Sequence, residues 1–284
     1  MNDLISIVLP VYNGEQYLRE SIESVIGQTY GNWELLILDD CSTDATQIIA
    51  LDYASKDRRI RYYKNDTNLR LPRNLNKGFS IARGEWLTWT SDDNYYYPTA
   101  LEKMLSVAKK FGREYVIASS IVINSEGEKT EDWTVPIDAY ERSIGECVGN
   151  ACFLYSRNVY EKTGDYNPEA ILCEDFDYWQ RICMKFQPAI ITEPLYAYRK
   201  HASSLTSTLN HTEICNNIKT MLGRNVSGYG KLNYRQKYYY YKELARCNRI
   251  LEEKDYKISI YEKYYHFLYL LIYDLPKRIA RKLM

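Results

Sequence analysis

Four short runs rich in apolar residues, each separated from the next by a helix-length segment, constrain this chain more than any other feature. They are Leu4–Leu9, Trp33–Leu38, Ile60–Tyr63 and Trp86–Thr90. Nearly continuous apolar runs of this length suit strands buried on both faces of a parallel sheet, with Pro10 expected to end the first. Between them, Leu18, Ile22, Val25 and Ile26 share one face of a helix reaching Gly27. Ser42, Thr43 and Asp44 supply caps for a helix through Ala54, and Pro72 suits the first turn of a helix running to Ala82. This alternation implies a doubly wound sheet with right-handed crossovers. Ligands of such sheets sit beyond the carboxyl ends of the strands. There the second run ends in Asp39-Asp40 and the fourth in Ser91-Asp92-Asp93-Asn94. Adjacent carboxylates repel unless a cation or a hydrogen-bonding ligand shares them. The competing reading makes these residues turn formers, with an Asp capping the helix that starts near Pro98.

The rest of the chain reads less regularly. A helix is expected over 98–111, a strand over 115–123 with a turn at Ser125-Glu126-Gly127, and a loop over 128–145. A short strand at 147–155, a helix at 157–163, a helix at 174–186 and a strand pair around 189–191 and 195–198 follow. Residues 212–284 read as several helices. The chain is thus expected to divide into a catalytic α/β domain, 1–210, and a helical extension, 211–284.

Composition narrows the classes. The seven cysteines form no C-x-x-C pair and no zinc-ligand spacing, so neither a disulfide framework nor a metal ribbon is indicated and a cytoplasmic setting is expected. Met1-Asn2-Asp3-Leu4 enters a strand pattern without a basic leader, which argues against a signal peptide. The longest apolar run of the tail, Phe267–Tyr273, is far short of the roughly 20 residues needed to span a bilayer. Formal charge is zero, yet residues 231–284 carry a surplus of seven positive charges. The end of that tail, Pro276–Met284, alternates basic pairs with Ile279, Ala280 and Leu283. Such a helix could lie on the inner face of an anionic membrane, or pack on the body or on a second subunit in a homodimer.

Several residues could carry chemistry. Asp40 could accept the N3 proton of uracil or thymine, or cap the next helix. No Gly-x-Gly-x-x-Gly or Gly-x-x-x-x-Gly-Lys-Ser/Thr sequence follows the first strand. Phosphates would then be held by a metal on Asp93, which would bridge a diphosphate. Glu174, Asp175 and Asp177 open a helix, where acids also satisfy the helix dipole. Asp175 is the candidate general base. His201 could complete the ligand set or contact the diphosphate.

Together, Val8–Gly14, Ser24–Tyr30, Leu38–Asp44, Arg73-Asn74, Ser91–Asp93, Glu174–Trp179 and Tyr198–His201 resemble, in order, the pattern of family 2 inverting glycosyltransferases. The similarity spans residues 4 to about 205 and looks particularly like the bacterial polysaccharide-synthesis branch. It implies a GT-A fold, that is, a Rossmann-like, mostly parallel central sheet flanked by helices, here with a C-terminal helical extension. It implies a nucleotide site at Pro10, Val11, Tyr12, Glu15, Asp40, Arg73 and Asp92. It places Mn2+ or Mg2+ on Asp93 with His201, donor or acceptor sugar at Gly149, Asn150 and Glu174, and the base at Asp175. Two positions depart from the pattern. Thr90 replaces the first acid of an Asp-x-Asp, leaving open which of Asp92 and Asp93 meets the metal, and Cys41 replaces a glycine.

The function implied is transfer of a sugar from a UDP- or dTDP-sugar to a hydroxyl of a glycan or lipid-linked acceptor, with inversion and with no nucleic-acid partner. A non-catalytic nucleotide-sugar-binding or scaffold protein is the alternative from another class. A nucleotidyltransferase would want a basic Gly-rich loop after the first strand, and Pro10–Glu15 has no basic residue.

Overall fold

The structure, a computed structural model, describes residues 3–148, 151–170, 172–202, 204, 211–225 and 232–250. Gly149, Asn150 and the basic end of the tail lie outside the described residues.

The first half follows the expected alternation: β1 (Ile5–Val11), α1 (Leu18–Ile26), β2 (Trp33–Asp39), α2 (Thr46–Lys56), β3 (Ile60–Lys64), α3 (Leu71–Ile81) and β4 (Trp86–Trp89). All three pairings among these strands are parallel, in the order β3-β2-β1-β4. Pro10 does not end β1. It stays in register opposite Leu38 in β2, and the strand runs on to Val11.

The second half comprises β5 (Tyr95–Tyr96), α4 (Ala100–Phe111), β6 (Tyr115–Ile123), β7 (Lys129–Trp133), α5 (Ala139–Arg142), β8 (Cys152–Ser156), α6 (Arg157–Thr163), α7 (Glu174–Cys183), β9 (Ala189–Arg199), α8 (His211–Asn225) and α9 (Tyr234–Ile250). β8 joins the sheet antiparallel to β4 and β6, and β9 then lies parallel to β6. Two expectations are corrected here. The stretch 128–145 is not a loop: β7 pairs antiparallel with β6, and α5 follows it. β7 was illegible because it is an exposed edge strand, Lys-Thr-Glu-Asp-Trp, with no buried face to impose an apolar alternation. The strand pair at 189–198 is one continuous strand whose register to β6 shifts around Ser119.

Alternation within the buried strands explains their continuous apolar character. Val8, Leu36 and Leu38 face one layer, containing α3, α6, α7, α8 and α9. Ile5, Ile7, Leu9, Leu35 and Ile37 face the other, formed by α1, α2 and α4. Successive strand residues point to opposite faces, so both must be apolar when both faces are covered.

The C-terminal helices dock closely on this body. A Cβ added at Gly145 would lie 2.0 Å from the main-chain oxygen of Tyr239 in α9. Backbone cannot yield as a side-chain tip can, so Gly145→Ala should destabilise the protein by about 1–3 kcal/mol. A lowered melting temperature in thermal denaturation checks this, and an unchanged one would mean that α9 does not seat there.

Candidate active site

Side chains and the carboxyl ends of β1, β2 and β4 build the site together. After Val11 the chain turns through Asn13, in the left-handed region at φ 54°. Asn13 accepts the Thr43 N–H at 2.9 Å and donates its own N–H to Ser42 Oγ at 2.9 Å. The Gly14 N–H donates to Thr46 Oγ1 at 2.9 Å, and Glu15 accepts the Ala45 N–H at 2.8 Å. The loops after β1 and β2 are therefore laced into one surface. Glu15 serves there as a cap for α2, while Tyr12 stands 53% exposed at its edge. Gly14 is required by Asp92, since a Cβ would come within 2.1 Å of Asp92 Oδ2.

Asp39 and Asp40 act as organisers. Asp39 accepts the Ser42 N–H at 2.7 Å and the Tyr62 hydroxyl at 2.5 Å. Asp40, 5% exposed, accepts Asn65 Nδ2 at 2.8 Å, the Leu69 N–H at 2.7 Å and the Arg70 N–H at 2.9 Å. It thereby fixes the loop after β3, including Arg70 at φ 65°. Asn65 also bridges to Asn74 at 2.9 Å and accepts from Lys77 at 2.6 Å. Arg73 stands exposed in the first turn of α3. Three donors converge on Asp40, so Asp40→Asn turns an amide donor toward them. Each lost charged hydrogen bond is worth about 1.5–3 kcal/mol. Asp40→Asn should therefore lower the melting temperature, as read by thermal denaturation. An unchanged melting temperature would mean that these contacts do not hold the loop after β3.

Beyond β4, Asp92 and Asp93 follow on the same rim. Burial, then repulsion from Asp93, pushes the Asp92 carboxyl up to about 7. Asp93 Oδ2 accepts from His201 Nε2 at 3.0 Å, and Asp93 Oδ1 is buried without a hydrogen-bond partner. His201 arrives from the end of β9, which pairs with β5 just after the acidic stretch. The structure thus joins residues 108 positions apart that the sequence had assigned to one task.

Asp175 and Glu174 open α7. Asp175 Oδ1 is buried and lacks a hydrogen-bond partner. Burial and the adjacent Glu174 hold the Asp175 carboxyl well above the ordinary carboxylate range, and burial raises Glu174 as well. The charge of Asp175 reaches Tyr166, whose hydroxyl accepts from the indole of Trp89 at 3.0 Å. Trp89 is the last residue of β4, and Tyr166 stacks on Tyr178 of α7, so this ring bridges the two elements. α7 is steadied from behind. Asn225 of α8 donates to Gln180 at 2.6 Å, and Gln180 donates to the Ile144 carbonyl at 2.5 Å.

Sequence reasoning left Asn65, Lys77, Tyr17, Tyr166 and Arg199 unassigned. Asn65 and Lys77 sit in an ordinary polar loop and helix, with no local signal. Tyr166 stacks on Tyr178 at 3.9 Å, a contact that no local pattern announces. A basic residue two places before a histidine was visible, but not that Arg199 is 3% exposed.

The residues fit a divalent cation in a limited way. A buried orphan oxygen on Asp93 beside an imidazole is a suitable hard and borderline donor pair. Among the described residues no group of three His, Cys, Asp or Glu side chains surrounds a common point. That suits an ion held by one or two protein ligands plus substrate phosphates, not a protein cage.

Comparisons with known proteins agree with this architecture. The chain is 30% identical over 224 residues to an uncharacterized glycosyltransferase of Haemophilus influenzae, covering 74% of this chain and 69% of that one. It is 29% identical over 191 residues to WcaA of Escherichia coli, a glycosyl transferase named for colanic acid biosynthesis, covering 65% and 68%. Two Rickettsia relatives are matched over only 37% of their length. Among solved structures, S. aureus TarS 1–349 in complex with UDP-GlcNAc superposes with a TM-score of 0.72 at 15% identity, covering 91% of this chain and 77% of that one. The fold is therefore the Rossmann-like GT-A architecture. The model of glycosyl transferase family 2 matches residues 6–164, and the chain belongs to that family and is a glycosyltransferase.

Proposed function

We propose that the chain moves a sugar from a nucleoside diphosphate sugar, UDP-linked in the first instance, to a hydroxyl of a glycan or lipid-linked acceptor, with inversion, in cell-surface polysaccharide synthesis. The observation that carries the reading is the pairing of Asp93 with His201 beyond the carboxyl end of β4, with a buried orphan oxygen on Asp93 and another on Asp175 of α7. The UDP-GlcNAc complex of TarS and the colanic acid assignment of WcaA support the donor and pathway classes.

The laced loops after β1 and β2 present Tyr12 as a platform beside Asp40 for a pyrimidine nucleoside. Asp92, packed against Gly14, faces the ribose. Asp93 and His201 would hold Mn2+ or Mg2+, which supplies charge neutralisation for the departing diphosphate when bound. Asp175 takes the acceptor proton as the acceptor oxygen attacks the anomeric carbon from the opposite side. Burial and Glu174 disfavour its ionised form, so once ionised it binds that proton more tightly than a solvated carboxylate would. Fixed loops and the braced α7 supply orientation.

A panel of UDP- and dTDP-sugars with Mn2+, screened by thermal stabilisation, identifies the donor. Turnover with the stabilising sugar, followed by the anomeric coupling of the product, then tests the reaction. Retention of configuration, or stabilisation by none of the panel, would sink the proposal. Stabilisation without any donor turnover or hydrolysis would favour the nucleotide-sugar-binding alternative.

A further inference from the structure

We infer that Arg199 is the positioning residue of the Asp93–His201 pair, holding both members in place without touching either reacting group. The inference rests on the reading of that pair as the diphosphate station. Arg199 Nε donates to the Asp93 main-chain oxygen at 3.0 Å, and its own N–H donates to Asn94 Oδ1 at 2.7 Å. Nη1 donates to the carbonyls of Asn124 and Ser125, each at 3.1 Å, and Nη2 pairs with the Glu20 carboxylate. The guanidinium carbon lies 4.5 Å from the centre of the Tyr17 ring, which in turn lies 5.2 Å from the ring of His201.

One buried side chain therefore governs two things. It fixes the backbone from which Asp93 projects, and through Tyr17 it backs the imidazole that meets Asp93 Oδ2. It also ties the β6–β7 turn to the same point, where the Tyr17 hydroxyl donates to Ser125 O at 3.4 Å. A guanidinium can serve Asp93, the turn and Glu20 at once because its five N–H groups diverge in a plane. A lysine ammonium, three donors on one atom, cannot span them. Groups that orient a ligating histidine or carboxylate typically change metal affinity by about 10–100-fold when removed.

The test reads His201 directly in the metal-free protein. The chain has three histidines, so the imidazole nitrogen resonances are few, and His201→Asn assigns the one of interest. Arg199→Lys leaves buried carbonyls without donors and lowers stability. Tyr17→Leu, on a partly exposed ring, is therefore the companion variant that keeps the fold. Both are expected to move the His201 Nε2 signal toward that of free imidazole and to weaken Mn2+ binding, measured by electron paramagnetic resonance, by about 10–100-fold. Tyr17→Phe, which keeps the ring, should retain the wild-type signal and affinity. An unchanged His201 signal in both folded variants overturns the inference whatever the metal does. Failure of the wild-type protein to bind Mn2+ would instead overturn the metal reading, and the imidazole signals would still judge Arg199.

Discussion

Asp175→Asn is expected to lose about 10²–10⁴-fold in turnover, the span of general-base contributions, while gaining thermal stability at neutral and alkaline pH. The two effects have one cause. Asp175 Oδ1 is buried without a partner, and its carboxyl is held well above 3.8 by burial and by Glu174. A carboxyl raised in the folded state binds its proton there at pH values where the unfolded chain has released it. Its contribution to stability is therefore complete below the unfolded value near 3.8 and is lost as pH rises through the folded value. Asparagine keeps the shape and never ionises, so the variant escapes that loss. Melting curves at pH 5 and pH 8 should show wild type falling relative to Asp175→Asn as pH rises. Product formation at saturating donor and acceptor should show the variant nearly inactive at both. Parallel pH dependence of the two melting temperatures would mean that the carboxyl is solvated after all. Substantial turnover by the variant would place the base elsewhere.

The same residue shows what the sequence can and cannot reveal. Its candidacy was legible because Cys173-Glu174-Asp175-Phe176-Asp177 sets acids at a helix start within an ordered set of motifs. Its lack of a hydrogen-bond partner was not, since the surroundings of the carboxyl are set by the fold and include Tyr115 in β6, far earlier in the chain, whose hydroxyl feels the Asp175 charge. The first four strands could be read because burial on both faces writes itself as a continuous apolar run. Where that pressure lapses, as in two-residue β5 or the exposed β7, the pattern has nothing to record. Asp40 looks like a ligand contact or a cap from sequence, and the structure adds a third role, anchoring the loop at Leu69 and Arg70. Arg199 lay beside the recognised histidine, but its importance comes from carbonyls at 93, 124 and 125, which no spacing rule connects.

Removal of the proposed metal station has the second large effect. Asp93→Asn should lower turnover by about 10²–10³-fold, the scale seen when one preorganised group facing developing charge is removed. His201→Asn should fall less far, because a phosphate oxygen or water can replace one imidazole more readily than an anionic ligand. The two losses should not add. Asp93 and His201 meet at 3.0 Å and would act on one ion, so the double variant is expected to be scarcely worse than Asp93→Asn alone. Chelation supplies the decisive arm: excess EDTA should bring wild type down toward the level of Asp93→Asn, change that variant little, and be reversed by Mn2+. Full wild-type turnover in EDTA would remove the ion from the reaction and leave the Asp93–His201 hydrogen bond as a purely structural pair. Equal sensitivity of wild type and Asp93→Asn to EDTA would keep the ion but assign it to Asp92, the neighbour whose carboxyl is raised to about 7 by burial and by Asp93 itself. The division of labour between two adjacent acids thus becomes a measurable difference in chelator response.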